Sequence, residues 1–290
     1  MWVWYSLFFA IWNSVATLLI KSLIKKISPL PLLYATSIFG IPFTFILLFF
    51  VGGIPEVTLN FYLYEGASAI LDTIAFILSF LAISKSQLSV IFPLSSFAPV
   101  FTTLIAAVTL NEIPTSTNKI IGILLVVFGA YLLNAADIRQ GVMMPIKRLF
   151  SNTGVKLSLI SYFIWSITPI FQKKAIFETQ PQIPLFASFF GGLLVFLFLT
   201  PFAFKKALKY KKDIKLNIKW FVILGIGGAF AQAAAFAAFS LAYLGYATAV
   251  FRLSTLFIII FGGVFLKEER IKERLFGASV MLLGTILLAL

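Results

Sequence analysis

The sequence predicts an all-α membrane protein of ten transmembrane helices, arranged as two inverted five-helix repeats. Three observations lead there. The chain is 61% hydrophobic and 11% charged, against roughly half and a quarter in soluble domains. Its apolar residues gather into ten continuous runs long enough to span hydrocarbon. Its two halves resemble each other, and because five is odd, the second half must cross the bilayer in the direction opposite to the first.

The runs fall at 2–20, 31–51, 61–83, 88–110, 119–134, 155–172, 183–202, 220–241, 245–266 and 275–290. They are continuous rather than alternating, which favours helices over barrel strands, because a helix satisfies its own backbone groups in lipid. The first run lacks a basic leader and a small-residue cleavage site, so it is expected to remain as a span. Positions 1–134 are read as the first repeat, 135–154 as the connection and 155–290 as the second repeat.

The duplication is visible at three places in the same order. Trp12 precedes Lys21 by the interval that separates Trp165 from Lys174. The segment from Ser89 through Phe92 and Pro93 to Ser95 and Ser96 matches that from Thr248 through Phe251 and Arg252 to Ser254 and Thr255. Near the end of each half, Gly122 and Gly129 stand seven residues apart, as do Gly277 and Gly284.

Composition also removes function classes. The chain has no cysteine and no histidine, so disulfides, the usual zinc and haem ligands and imidazole acid/base chemistry are missing. Asp72 is the one aspartate central to a span, which leaves no aspartyl pair for intramembrane proteolysis. The expectation is therefore no enzyme, no cofactor and no metal. The net charge of +13 sits in the connections without a nucleic-acid motif, so no nucleic-acid partner is expected.

Those charges report orientation instead. Nineteen of the 23 lysines and arginines fall in connections 1–2, 3–4, 5–6, 7–8 and 9–10. The opposite face holds Lys119, Lys173 and Lys174, while Arg252 lies inside a span. The basic face is expected in the cytoplasm, with both termini outside. Abundant Phe, Ile and Lys point to an AT-rich prokaryotic genome and hence to a multi-pass protein of a cytoplasmic membrane. The lysine-rich segment 203–219 is read as a cytoplasmic loop that fixes topology, with a specific anionic-lipid site as the alternative.

With Trp12, Pro99, Glu112, Glu269 and the paired glycines in view, the chain resembles the EamA-like family of the drug/metabolite transporter superfamily over essentially its whole length. The early Trp and Lys of each half, Pro99 followed by Glu112, and the Glu269-Arg270 ending carry the resemblance. It implies secondary transport, often export, of small metabolites or drugs. Members of this type typically keep both termini in the cytoplasm, whereas the basic residues here argue the reverse.

Within the spans, Asp72 is the sharpest candidate, since an acid at that depth is costly unless it meets water or a partner. Glu65, Ser68, Asp72, Ala75 and Ser79 share one helix face and form a small, polar stripe. Aligning the halves sets Gln232 opposite Asp72, and Gly225 and Gly228 opposite Glu65 and Ser68. Arg252, on a stripe with Thr248 and Thr255, has the fork to hold a carboxylate or phosphate, or to pair with Asp72. Trp12, Asn13, Tyr162 and Trp165 supply aromatic and amide groups suited to amphipathic substrates. Arg252, Gln232, Trp12, Asn13, Trp165, Tyr162, Ser96 and Thr255 are thus the expected substrate contacts, with Asp72 for proton or cation coupling.

The expected function is secondary transport by alternating access, in the direction of export, of small polar or amphipathic metabolites, amino acids among them. The cavity is expected chiefly from helices 1, 3, 4, 6, 8 and 9. Expected partners are the metabolite, membrane lipid, and protons or another coupling cation. Two alternatives remain open on sequence: a gradient-independent facilitator or exchanger, and a non-transporting scaffold or lipid-handling protein.

Overall fold

The long apolar runs fold as helices. The computed structural model describes residues 1–111, 118–133, 144–268 and 270–289. In chain order the helices are α1 (Trp2–Leu23), α2 (Pro29–Val51), α3 (Leu59–Lys85), α4 (Leu88–Ile91), α5 (Phe97–Thr109), α6 (Asn118–Leu132) and α7 (Met144–Ser151). There follow α8 (Thr153–Phe177), α9 (Pro184–Lys209), α10 (Lys211–Leu216), α11 (Ile218–Leu241), α12 (Leu244–Phe251), α13 (Ser254–Leu266) and α14 (Ile271–Ala289). A two-residue strand β1 (Glu56–Val57) pairs antiparallel with β2 (Thr179–Gln180), tying the connection after α2 to the one after α8.

Among the described residues, eight segments are long and apolar enough to cross a membrane. They are α1, α2, α3, α8, α9 and α11, plus the composite segments Leu88–Thr109 and Leu244–Leu266. The fifth and tenth expected spans are less complete. α6 has 15 residues, about 22 Å of helix against a core of about 30 Å. α14 has 19 residues but carries Lys272, Glu273 and Arg274 in its first turn. Large outward-facing side chains such as Phe50 (81% exposed) and Val108 (83%) give the bundle a surface suited to lipid rather than water.

Local chemistry sets the helix ends. Prolines occupy the first turns of α2 and α9, where a missing N–H costs nothing. Asn152 caps α8 by accepting from Gly154 N (2.8 Å) and Val155 N (3.2 Å). Glu268 caps the composite fourth segment, accepting from Leu88 N (2.7 Å) and Ser89 N (2.9 Å). Both composite segments break at the place the repeat aligned: a 3-10 turn spans Pro93–Ser96, and α12 passes to α13 through Arg252 and Leu253 with i→i−3 bonds. Proline explains the first break, because it has no N–H to donate.

Packing repeats between the halves. α3 lies along α8 as α1 lies along α11; α2 meets α11 as α9 meets α3. The paired glycines face each other across α6 and α14: Gly129 opposes Gly277, and Gly122 opposes Gly284. Early residues of one helix therefore meet late residues of the other, so the two run antiparallel with their backbones nearly touching.

Lysines repeat the pattern with one shift. Lys21 Nζ donates to Ile83 O and Ser86 O at the end of α3, both at 2.5 Å. At the end of α11 the donor is Lys173, whose Nζ reaches Ala242 O at 2.7 Å. Lys174, the residue at the matching sequence interval, instead sits over the Tyr64 ring at 5.8 Å. A similar shift affects the glutamate ending: Asn111 and Lys267 both adopt left-handed φ (54° and 53°) and each precedes a glutamate. Lys267 thus marks Glu268, the capping residue, rather than Glu269. Glu112 and Glu269 lie outside the described residues.

Candidate functional site

Three apolar clusters hold the bundle together: one around Ile91, Leu94 and Ile258, one around Phe61, Phe186 and Phe251, and one around Leu32, Leu199 and Phe221. A cavity of about 380 Å³ opens off them, lined from α1, α2, α3, α8, α9, α11, α12 and the turn at Arg252. This volume suits a small metabolite.

Its walls are mostly apolar, with two tryptophans and several phenylalanines among them. Trp12 enters from α1, and Gly227 of α11 makes room for it, since any side chain there would run into the indole. Trp165 enters from α8 and packs edge-on against Phe76 (centroids 5.3 Å, 76°). Phe189, Phe236 and Phe239 complete much of the rest.

The charged groups on the wall are Glu65, Asp72 and Arg252. Asp72, 7% exposed, accepts from Gln172 Nε2 (2.8 Å) and Ser68 Oγ (3.4 Å), with Thr168 and the Trp165 indole also directed at it. Asn13 Nδ2 donates to Ser254 Oγ at 3.3 Å, which ties α1 to the break between α12 and α13. Arg252 lines the cavity from that break, with its Nε lacking a partner among the described residues. The pairing of Asp72 with Arg252 allowed by the sequence does not occur: Asp72 spends its oxygens on neutral donors of α3 and α8.

Of the residues expected at the site, Asp72, Arg252, Gln232, Trp12, Asn13 and Trp165 all line the cavity. Tyr162, Ser96 and Thr255 do not. Tyr162 packs into the apolar cluster with Leu94 and Ile258. Thr255 is fully buried, 3.5 Å from Ser95 Oγ and donating to Phe92 O at 3.4 Å, so it fastens the two helix breaks together. Ser96 is equally buried at that junction.

The wall also differs from expectation in its helices. The fourth segment contributes nothing to the lining, whereas α2 brings Thr36, Ser37, Gly40 and Thr44, and α9 brings Ser188, Gly191 and Gly192. Clusters of small and hydroxyl residues inside otherwise apolar runs were the available signal. Glu65, which the sequence places on the polar stripe of α3 without a role of its own, also belongs to the wall. It is 0% exposed, and neither carboxylate oxygen has a hydrogen-bond partner among the described residues.

A helical membrane bundle with a cavity that mixes aromatic, hydroxyl and charged side chains has a build suited to transport. The sequence agrees: a family model, the EamA-like transporter family, matches residues 1–135 and again 152–290. The chain belongs to that family, a branch of the drug/metabolite transporter superfamily whose members are transporters rather than enzymes. A solved crystal structure of a protein with 12% sequence identity aligns at a TM-score of 0.61, covering 97% of this chain and 98% of the other, a likeness of fold alone. No curated protein sequence matches.

Proposed function

We propose that this protein is a ten-helix secondary transporter, working by alternating access, that exports small polar or amphipathic metabolites, amino acids among them. The observation that carries the reading is the cavity holding Asp72, Gln232 and Arg252 between the two halves. Substrate sites of inverted-repeat transporters form at such an interface, beside discontinuous helices. The antiparallel contact of α6 with α14 supports two repeats of opposite direction. The distribution of lysine and arginine supports outside termini in a prokaryotic cytoplasmic membrane.

In this reading Arg252, fixed in a helix break and short of acceptors, takes the anionic group of the substrate through its guanidinium. Trp12 and Trp165 hold its apolar body, and Gln232 and Asn13 supply neutral hydrogen bonds. Asp72 takes the coupling proton or cation. Its donors Gln172 and Ser68 sit on two helices from different halves, so a change in its charge bears directly on how those halves pack.

The test is flux of an amino acid and metabolite panel in proteoliposomes, with and without an imposed pH gradient. Asp72→Asn should abolish gradient-driven flux while leaving exchange between substrate pools. Equal loss of both would mean that Asp72 is structural. A second reading, the gradient-independent facilitator, is favoured by one observation, that Asp72 already has neutral donors in place. Flux indifferent to both gradient and substitution would establish it.

A further inference from the structure

Glu65 lies two helical turns before Asp72 on the cavity face of α3. It is more deeply buried than Asp72, at 0% against 7% exposure, yet it lacks what Asp72 has. Neither oxygen of its carboxyl group meets a donor or a cation among the described residues. An ionised carboxylate left so in hydrocarbon is among the costliest arrangements a membrane protein can hold. That cost falls if the carboxyl group is neutral, or if a positive charge reaches it from the cavity that it lines.

The surroundings restrict what that charge can be. On α3 itself the nearby charged group is Asp72, of like sign. α9 presents Ser188 and Gly191 and has no ionisable residue before Lys205. α2 presents Thr44, and its one ionisable residue is Tyr34 near the far end. α8 carries Lys173 and Lys174 near its end, but Lys173 Nζ donates to Ala242 O and Lys174 Nζ lies over Tyr64. Arg252 enters from the α12–α13 break and makes no ion pair with Glu65.

Space is equally limited. Gly191 packs so tightly on Glu65 that a methyl group at 191 would fall 2.5 Å from Oε2. A hard metal cation needs about six oxygens arranged around it, and among the described residues no third carboxylate, His or Cys joins Glu65 and Asp72. A proton needs no such room.

We propose that Glu65 is the group on which the coupling proton rides, with Asp72 as the neighbouring acid that keeps its donors from α3 and α8. The proposal rests on the proton-coupled reading above and extends it: the proton passes between Glu65, which has no partner among the described residues, and Asp72, which has, so loss of either acid should abolish gradient-driven flux. Gly191 is then the position that admits the carboxyl group between α3 and α9.

The experiment is difference infrared spectroscopy of the full-length protein in lipid at neutral pH, followed by flux in the same vesicles. Wild type and Asp72→Asn should both show the C=O stretch of a buried carboxylic acid, and Glu65→Gln should lose it. Gly191→Ala, which presses on the same carboxyl group without removing it, should shift that band. Glu65→Gln should also lose gradient stimulation of flux while keeping exchange. A spectrum with no band lost in Glu65→Gln overturns the proposal, as does a band that sodium removes at constant pH, or gradient-driven flux in Glu65→Gln equal to wild type. Absence of gradient stimulation in the wild type would instead defeat proton coupling as a whole, while the infrared band still reports whether Glu65 holds a proton.

Discussion

At the scale of single residues, what decides function is which side chains find partners. Asp72 and Arg252 stood out in the sequence because charge inside a span is rare and expensive, and both reach the cavity. Glu65 was visible on the same stripe, but sequence spacing says nothing of burial or of missing donors, and those make it distinctive. Ser96, Thr255 and Tyr162 lie off the cavity wall for a related reason. Helical periodicity groups residues on a face without saying whether that face meets a cavity or a neighbour, and the break at Pro93 turns the face again. Lys21 offers a test at this scale. Lys21→Met leaves the Ile83 and Ser86 carbonyls without their donor, so we expect a loss of roughly 1–3 kcal/mol in stability, read as an earlier thermal unfolding midpoint in detergent. Gly227→Leu should cost transport before stability, because it displaces Trp12 from the cavity wall; unchanged substrate affinity in that variant would remove Trp12 from the site.

At the scale of elements, the halves share devices more faithfully than they share residues. Both fourth segments break in a short 3-10 turn, one at a proline and one at an arginine. Both third helices end on a lysine cap, from Lys21 in one half and from Lys173, one place away from the matching interval, in the other. A cap needs only an ammonium within reach, and a long, flexible side chain supplies that from neighbouring positions. The sequence interval therefore pairs Lys21 with Lys174, while the cap in the second half comes from Lys173. The glycines, by contrast, recur at the same spacing in both halves, because close backbone approach tolerates nothing larger. Gly129→Leu should separate α6 from α14 and destabilise the protein by about 1–3 kcal/mol through overpacking, measured by thermal unfolding. A neutral result would mean that this contact does not hold the halves together.

At the scale of the whole molecule, the membrane class, the duplicated organisation and the transporter family were legible in the sequence, because hydrophobic runs and repeats are long-range signals. The shape of the cavity was not, since it depends on how α2 and α9 close against the other helices. Orientation belongs to this scale too: a reporter fused to the C-terminus that is active only outside the cytoplasm should be active here, given where the basic residues lie. The cavity between the halves is the proposed transport path. The chain has no cysteine of its own, so single substitutions read it directly. Gln232→Cys, on the cavity wall, should react with a membrane-impermeant thiol reagent and lose flux on reaction, while Ser96→Cys, buried at the helix breaks, should stay unlabelled. Labelling at 96 with none at 232, or full flux after modification at 232, would contradict the account.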